Sequence, residues 1–454
     1  MLPTRSRAAR VALASALALL ASGCGGDDGH AALAASDSGH AGGPAGAAVV
    51  TPAGNAPVAT PSEEAAWLTP ARRAEEDSIY RDAAGAAWRF ADRNYLPATG
   101  LTRPFDHYAI GTMWDVASGL AATFSAAELE LLPREQAVQR LSTAIGTLER
   151  LPLFDATAFN KEYVFTSGAP IDVNRRPART GYGISATDTG RLLLWLRIVA
   201  TRYPALRPRV EAVVRRLDLE GMVDDGYLRG RQLSLRTGRV RKFQEGRIGY
   251  EQYAARGFTA WQVPASAAAD ITRNMEGETV LGVEVPKDRR GGDRLTSEPF
   301  VLLGMEAGWN GAESVVARKL LAVQAARYAR TGTLTMVSED AIDLAPHYFY
   351  FYTILSRRGP FTVEVQRQVP VNGPRWVSTK AAFAWHALLP GEYTRRVVDL
   401  VRTSALGGGV WGAGVLENGR ATGNPNLNTA AVVLEAAAYR RVGRPFLTLP
   451  PIGS

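Results

Sequence analysis

Apolar residues recur at helical spacing along most of the chain after about residue 63. In the first such segment Trp67, Ile79, Trp88 and Phe90 follow this spacing, and Pro70 predicts a helix start or a kink. The pattern predicts a mainly α fold with thirteen helices, at residues 63–94, 114–124, 133–151, 186–203, 206–217, 249–261, 264–275, 298–309, 312–331, 345–356, 379–389, 393–405 and 426–442.

Two kinds of helix alternate in this series. Some, such as residues 134–150, are amphipathic with a charged face, whereas others, such as those around 192–196 and 430–434, are apolar nearly all round. An amphipathic helix faces water on one side, and an all-apolar helix is buried. The alternation therefore predicts an (α/α)6 toroid of six outer and six inner helices. Seven predicted helices are candidates for the six inner positions. The pattern does not decide which of 345–356 and 379–389 is an inner helix.

Short β segments are predicted in the loops between helices. Residues 279–285 and 362–371 alternate weakly, and residues 410–419 predict a hairpin closed by Asn418 and Gly419. The glycine-rich segment 407–412 matches a nucleotide-binding pattern, but it follows a helix and leads into this hairpin, so it predicts a turn.

Polar residues stand at the start of every predicted inner helix. In a toroid these helix ends converge on one rim, so side chains from distant segments would share a cleft. The alternative is local capping, because Asp and Glu in a first turn stabilise a helix by about 0.3–1 kcal/mol each. Because all six predicted inner helices begin with such a residue, a shared cleft is favoured over capping alone. The residues are Asp115, Asp188, Glu251, Glu298, His347 or Lys380, and Asn428.

Aromatic side chains accompany these polar positions and point to a carbohydrate ligand. Aromatic faces stack on the apolar faces of sugar rings, while carboxylates and amides bind hydroxyls. Glycosidic hydrolysis needs a pair of carboxyls, one as acid and one as base or nucleophile. The densest collection of such groups is the segment 243–253, which holds Glu245, Arg247, Tyr250, Glu251 and Tyr253.

Seven motifs in order resemble a bacterial family catalogued as domain of unknown function 3131. They are WDVASGL (114–120), NKEY (160–163), GISATDTGR (183–191), QEGRIGYEQYAA (244–255), SEP (297–299), STKAA (378–382) and NTA (428–430). More distantly, residues 184–190 and 247–253 are similar to segments of the glycoamylase-like toroids, which include enzymes acting on β-1,2-glucans. That resemblance implies an (α/α)6 toroid hydrolase in which Glu251 is a pocket carboxylate. The loop around Lys161 and Glu162 differs from the aromatic, Asp-bearing loop of those toroid enzymes.

These observations predict a glycoside hydrolase-like protein acting on a cell-envelope or extracellular polysaccharide. Glu251 is the predicted general acid or a carboxylate beside it, and the candidates for its catalytic partner are Glu162, Asp188, Glu245 and Glu298. Asp115 and Lys380 are expected to orient hydroxyls or to position a carboxylate. The predicted substrate-binding residues are Trp114, Asp115, Tyr163, Arg247, Tyr250, Tyr253, Lys380, Trp411 and Asn428.

Two other functions remain open at this stage. A polysaccharide lyase on the same fold would use Tyr250 or His347 as base and Arg191 or Arg247 to neutralise a uronate. A non-catalytic protein that binds glycans or assists envelope assembly would need no carboxyl pair. No metal site and no cofactor are expected, because the five histidines are scattered and there is one cysteine.

The net charge does not indicate a nucleic-acid partner. The formal net charge of the chain is +8. Its first 23 residues hold three arginines and no acid, so the net charge of the remainder is 8 − 3 = +5. No basic run alternates with aromatic residues as a strand-binding groove would require. We expect a monomer whose partners are a polysaccharide or oligosaccharide and a membrane.

The N-terminus predicts a lipoprotein. Three arginines precede a 12-residue apolar stretch at 11–22, too short for a membrane-spanning helix of about 20 residues. Small residues then lead to Cys24, as in a bacterial lipobox; the alternative is an ordinary secretory peptide with an incidental cysteine. The predicted organisation is a signal peptide (1–23), a lipidated cysteine with a flexible tether (24–62) and one domain (63–449). Gly25 follows the cysteine, which favours the outer membrane, facing the periplasm.

Overall fold

The computed structural model describes residues 67–366 and 369–452. The predicted signal peptide, Cys24 and the tether at 24–62 lie outside these residues. The described part contains the helices α1 (Pro70–Arg93), α2 (Met113–Glu128), α3 (Arg134–Leu148), α4 (Ala186–Arg202), α5 (Arg207–Arg215), α6 (Tyr250–Ala260), α7 (Ser266–Ala269), α8 (Glu298–Glu306), α9 (Gly311–Thr331), α10 (Thr379–Leu388), α11 (Glu392–Arg402) and α12 (Leu427–Val442). None of these helices is long and apolar enough to cross a membrane.

Short strands occupy the loops between the helices. They are β1 (Ile110–Thr112), β2 (Leu153–Phe154), β3 (Ala158–Phe159), β4 (Glu162–Val164), β5 (Ala169–Pro170), β6 (Gly183–Ile184), β7 (Val223–Asp224), β8 (Tyr227–Leu233), β9 (Val240–Gln244), β10 (Met275–Val280), β11 (Val283–Asp288), β12 (Arg294–Leu295), β13 (Glu339–Ala341), β14 (Phe349–Tyr352), β15 (Leu355–Ser356), β16 (Gly359–Pro360), β17 (Val363–Val365), β18 (Val369–Pro370), β19 (Trp376–Ser378) and β20 (Gly414–Leu416).

The even-numbered helices pack against one another in a cycle. Helix α2 contacts α4, and contacts follow between α4 and α6, α6 and α8, α8 and α10, and α10 and α12, while α12 returns to α2. Each odd-numbered helix packs on an even-numbered neighbour, α1 on both α12 and α2. The sequence explains the two layers: every residue of α8 is buried, whereas in α11 only Thr394, Val397, Val398 and Val401 are.

The structure decides the inner place that the sequence pattern left open. Helix α10 takes it, and the helix predicted at 345–356 is wrong. That segment forms β14 and β15, and β14 pairs with β13 on one side and β17 on the other. Its run from Phe349 to Tyr352 consists of aromatic residues, which favour a half-buried strand. The helix predicted at 264–275 is also shorter than expected, because only α7 forms there.

The predicted β segments and the predicted hairpin are found. Residues 279–285 lie in the β10–β11 hairpin, and 362–371 include β17 and β18. The turn at Asn418 and Gly419 forms, with the Gly419 N–H donating to the Leu416 carbonyl at 2.8 Å and φ of +83° at Gly419. Strand β20 pairs on one side with β19, which directly precedes α10, and on the other side its Val415 bridges Ala421 after the turn.

The closest packing between inner helices occurs where α4 crosses α6. A Cβ at Gly257 would lie 1.8 Å from the carbonyl oxygen of Gly190, and a Cβ at Gly190 would lie 2.5 Å from the carbonyl oxygen of Ala254. Both neighbours are helix backbone, which cannot rotate out of the way. These two glycines therefore set the distance between the helices.

We expect Gly257→Ala to destabilise the protein by about 1–3 kcal/mol, because overpacking forces the two helices apart. The measurement is the free energy of unfolding in urea. Gly311→Ala at the start of α9 is the matched control, since a Cβ there meets nothing within 4 Å. Equal stability of the two variants would contradict the proposed close crossing.

Candidate functional site

A cleft opens where the inner helices begin. All six inner helices contribute first-turn side chains to it: Trp114 and Asp115 from α2, Thr187 and Asp188 from α4, Tyr250 from α6, Glu298 from α8, Lys380 from α10 and Asn428 from α12. The loops and strands add Pro104, Phe105, Thr112, Arg294, Glu339, Asp340, Ala341, Phe349, Phe351 and Asn426. The structure thus brings together seven of the residues predicted for the site.

Capping explains some of these polar side chains but not all of them. Asp115 forms a capping box: its carboxylate accepts from the Thr112 backbone N–H at 2.9 Å, and Thr112 Oγ1 accepts from the Asp115 N–H. In α4 the cap is Ser185, whose Oγ accepts from the Asp188 N–H at 3.1 Å. The carboxyl of Asp188 is thus not the cap of its own helix and lines the cleft.

Glu298 is held by two neighbours in the cleft wall. Lys380 Nζ donates to one oxygen of its carboxylate, and Asn428 Nδ2 donates to the other at 2.6 Å. Lys380 also donates to the Glu339 carbonyl oxygen at 2.6 Å and lies 3.5 Å from the Asp340 carboxylate. Both oxygens of Glu298 therefore have fixed donors, which orients the carboxylate rigidly.

Asp188 and Glu339 are the two half-buried carboxyls suited to proton exchange at neutral pH. Burial raises the pKa of Asp188 to about 7, and the charge of Glu245 adds to the effect. Burial likewise raises the pKa of Glu339 to about 7 against the lowering influence of Lys380, and the charges of Asp340 and Asp188 raise it further. Carboxyls with such pKa values carry a proton for part of the time at pH 7 and can donate it.

Asp340 lies beside them in a more enclosed position. Burial raises its pKa to about 6, opposed by Lys380. The indole Nε1 of Trp376 donates to its Oδ2 at 2.8 Å. Its Oδ1 has no hydrogen-bond partner among the described residues and lies 3.5 Å from Lys380 Nζ, so Asp340 and Lys380 form an ion pair in the cleft wall.

Aromatic rings form the apolar part of the cleft. Trp114 packs against Tyr250 with ring centroids 5.8 Å apart, and Phe105, Phe349 and Phe351 also line the cleft. The hydroxyl of Tyr250 is buried and has no hydrogen-bond partner among the described residues. The rings that line the cleft suit the apolar face of a sugar.

A buried charged group supports the cleft from beneath. Arg191 is fully buried, its guanidinium lies 4.5 Å from the Trp114 ring centroid, and its Nη1 donates to Asn428 Oδ1 at 3.1 Å. On its other side Nη2 lies 3.3 Å from Glu435 Oε1 and 3.9 Å from Glu306 Oε1. The network thus connects the core to the two cleft residues Trp114 and Asn428.

Two predicted carboxylates from the segment 243–253 have structural partners and are not among the residues lining the cleft. Glu251 is fully buried, and its carboxylate accepts from Arg290 Nη2 at 2.6 Å and from Gln244 Nε2 at 2.8 Å. Glu245 accepts from the Ala186 backbone N–H at 2.6 Å, so it binds the N-terminus of α4. Arg247 of the same segment donates to the Gly291 carbonyl oxygen at 2.6 Å.

The remaining predicted residues are also bonded outside the lining of the cleft. Glu162 accepts from the Tyr182 hydroxyl at 2.7 Å and pairs with Arg175. Three aromatic residues donate to fixed acceptors: Tyr163 to the Pro152 carbonyl at 2.6 Å, Tyr253 to Glu306 at 2.6 Å and Trp411 to the Ala83 carbonyl at 3.0 Å.

Sequence reasoning missed the side of the cleft that strands provide. Glu339 and Asp340 lie on β13, Phe349 and Phe351 on β14, and Arg294 on β12. The adjacent acids were a visible signal, but the helix predicted at 345–356 placed the neighbouring aromatic residues in the wrong element. No group of three or more His, Cys, Asp or Glu side chains in the described part is arranged to hold a metal ion.

The profile of the family described as "Protein of unknown function (DUF3131)" matches residues 82–443. The chain belongs to the DUF3131 family. The resemblance stated from the seven motifs is thereby confirmed. None of the curated proteins matches the sequence.

Several solved structures with a similar fold are described as glucoamylases or endo-β-1,2-glucanases. A glucoamylase-like protein from Bacteroides fragilis has a TM-score of 0.59 and 13% identity, over 82% of this chain and 92% of that chain. The endo-β-1,2-glucanase of Chitinophaga pinensis, in complex with sophorotriose and glucose, has a TM-score of 0.56 and 12% identity, covering 82% and 93%. The endo-β-1,2-glucanase of Talaromyces funiculosus, in complex with sophorose, has a TM-score of 0.56 and 11% identity, over 81% of this chain and 85% of that chain. At these identities the likeness concerns the fold.

Proposed function

We propose that this DUF3131 chain is a glycoside hydrolase that cleaves an envelope or extracellular polysaccharide in the cleft. The observation that carries the proposal is the pair Asp188 and Glu339, each with a pKa of about 7, in a cleft lined by aromatic rings. We further propose that the cyclic packing of the helices is an (α/α)6 toroid, as the likeness to glycoside hydrolases supports.

The two carboxyls have complementary roles in this proposal. The protonated member donates to the leaving glycosidic oxygen, and the ionised member activates a water or attacks the anomeric carbon. Glu298, fixed by Lys380 and Asn428, holds sugar hydroxyls and adds negative charge beside the developing oxocarbenium ion. The rings of Trp114 and Tyr250 pack against the apolar face of the sugar ring.

The charges of the cleft favour a glycan without carboxylates. Among the described residues, the lining contains five acids and two cations; the acids are Asp115, Asp188, Glu298, Glu339 and Asp340. Lys380 is engaged by Glu298 and Asp340, and Arg294 is bound to Glu364 and lies over the Phe351 ring at 3.8 Å. A lyase needs a cation that neutralises the uronate, so this arrangement supports a hydrolase of neutral sugars. The sophorose and sophorotriose complexes of the fold neighbours make β-1,2-glucan the first candidate.

The proposed location follows from the sequence. A lipid on Cys24 and the tether would hold the domain at residues 63–449 close to the outer membrane, facing the periplasm. A glycan of the envelope would then lie within reach of the cleft.

The test is incubation of the purified protein with β-1,2-glucan, other β-glucans and exopolysaccharides, followed by assay of new reducing ends. We expect oligosaccharide products whose formation is maximal near neutral pH, because both carboxyls have pKa values of about 7. Products that absorb in the ultraviolet would show a lyase. Saturable binding without any product over a long incubation would show a binding protein and contradict the proposal.

A further inference from the structure

The β8–β9 hairpin carries a concentrated positive charge that the cleft does not use. Strands β8 and β9 pair in antiparallel register from Arg229 opposite Gln244 to Leu233 opposite Val240. Between these ends the chain contains no acidic residue. The exposed cations at and near the tip are Arg236, Arg239, Arg241 and Lys242.

The tip of this hairpin also exposes aliphatic side chains. Leu235 is 76% exposed and Val240 is 38% exposed, and only Val315 and Val369 are comparable among the large hydrophobic residues of the described part. Val240 lies opposite Leu233 in the register, and Leu235 follows Leu233 by two residues at the turn. Single exposed apolar residues are ordinary, but two together at the tip of a basic hairpin form one surface.

The hairpin has a defined shape. The N–H groups of Thr237 and Gly238 both donate to the Ser234 carbonyl, and Gly238 adopts φ of +65°, which only glycine takes up without strain. The Ser234 N–H donates to the Arg239 carbonyl at 2.9 Å, which closes the turn. The cations and Leu235 are therefore presented together on a closed turn.

We propose that this hairpin docks on a membrane surface containing anionic lipids. Cations next to exposed aliphatic side chains match an anionic headgroup layer, because the cations bind phosphates while the aliphatic groups enter the interface. An anionic polysaccharide would match the cations but would give no reason to expose Leu235. The membrane is therefore the partner that accounts for both features.

The base of the hairpin adjoins the cleft, which gives the docking a consequence. Gly183, three residues before α4 begins, pairs with Gln232 of β8, and Glu245, just after β9, binds the first N–H of α4. Asp188 lies in the first turn of that helix. Docking of the tip would thus fix the orientation of the cleft relative to the membrane, in addition to any effect of the lipid on Cys24.

The experiment uses the full mature chain with Cys24→Ser, so that no lipid is attached. Co-sedimentation with vesicles of phosphatidylcholine and phosphatidylglycerol is compared with vesicles of phosphatidylcholine alone, at low and high salt. We expect salt-sensitive binding to the anionic vesicles only. The double variant Arg236→Gln/Arg239→Gln should bind about 10- to 30-fold more weakly, since each cation near such a surface contributes roughly fivefold. Leu235→Ser should weaken binding about fivefold at unchanged charge.

The matched control is Arg357→Gln/Arg358→Gln, which removes the same charge from the exposed turn between β15 and β16. This control should bind like the parent chain, and circular dichroism should confirm that all variants are folded. Equal binding to both kinds of vesicle, or equal loss in the control, would overturn the proposal. Binding to polygalacturonate without binding to anionic vesicles would also overturn it and would assign the hairpin to an acidic glycan.

Discussion

Asp188→Asn is expected to remove glycan hydrolysis and at the same time to make the folded protein more stable at pH 8. Loss of one member of an acid–base pair lowers the turnover rate by about 10²–10⁴-fold. We expect Glu339→Gln to have a similar effect on turnover. In both variants binding of the oligosaccharide should persist, because the aromatic rings and Glu298 remain.

The gain in stability follows from the raised pKa of Asp188. The carboxyl has a pKa of 3.8 when unfolded and about 7 when folded, so between these values the folded state binds more protons than the unfolded state. Stability due to this group is full below pH 3.8 and is lost as the pH rises through about 7. An amide has no such dependence, so Asp188→Asn should be about 2–4 kcal/mol more stable than the parent at pH 8 and nearly equal to it at pH 4.

A matched control separates the two effects. Asp293 has a pKa that burial raises to about 7, but it accepts from the Asp288 backbone N–H outside the residues that line the cleft. Asp293→Asn should therefore alter the pH dependence of stability without altering turnover. The measurements are unfolding in urea at both pH values and the initial rate of hydrolysis. Full activity of Asp188→Asn, or loss of activity only together with loss of stability, would contradict its proposed role.

The sequence predicts the helical half of the cleft because helix starts are local features. Asp115, Asp188, Glu298, Lys380 and Asn428 all lie in the first turns of helices whose beginnings the sequence locates to within a residue or two. Given alternating buried and amphipathic helices, these starts fall on one rim. Neither capping nor the pattern requires knowledge of a distant partner.

The strand half of the cleft could not be predicted in this way. Glu339 and Asp340 reach the rim because β13 pairs with β14, and β14 with β17, and such pairings depend on residues far apart in the chain. Glu251 illustrates a different limit. It follows Tyr250 on α6, and successive helix residues point about 100° apart, so Tyr250 lines the cleft while Glu251 meets Arg290. The sequence predicts helix α6, but it does not predict which face of that helix is turned towards the cleft.

Arg191→Met is expected to cause the largest loss of stability of any single substitution considered. Removing one partner of a buried ion pair costs about 3–5 kcal/mol, because the other charge stays buried without compensation. Here the groups left behind are Glu306 and Glu435. Burial already raises the pKa of both carboxyls, most strongly that of Glu435, and Arg191 opposes the rise.

The pH dependence of this loss is a further expectation. Without the guanidinium, the folded pKa values of Glu306 and Glu435 rise further above their ordinary value of 4.5. The folded variant then retains protons that the unfolded chain releases as the pH rises, so its stability falls with pH. The difference from the parent, measured by unfolding in urea, should be larger at pH 8 than at pH 5. A difference below about 1 kcal/mol at both pH values would contradict the ion-pair role.

A second substitution tests whether the charges themselves cause the loss. In the Arg191→Met background, Glu435→Gln removes one uncompensated charge while its amide can still donate to Glu306, so part of the lost stability should return. Turnover should not return with it. Arg191 Nη1 holds Asn428 Oδ1, which leaves the amide Nδ2 of Asn428 directed at Glu298. Without that contact Asn428 Oδ1 keeps only the longer hydrogen bonds from Trp114 Nε1 at 3.4 Å and Ser118 Oγ at 3.5 Å. The amide is then held less firmly against Glu298, and the cleft loses part of the geometry that hydrolysis requires.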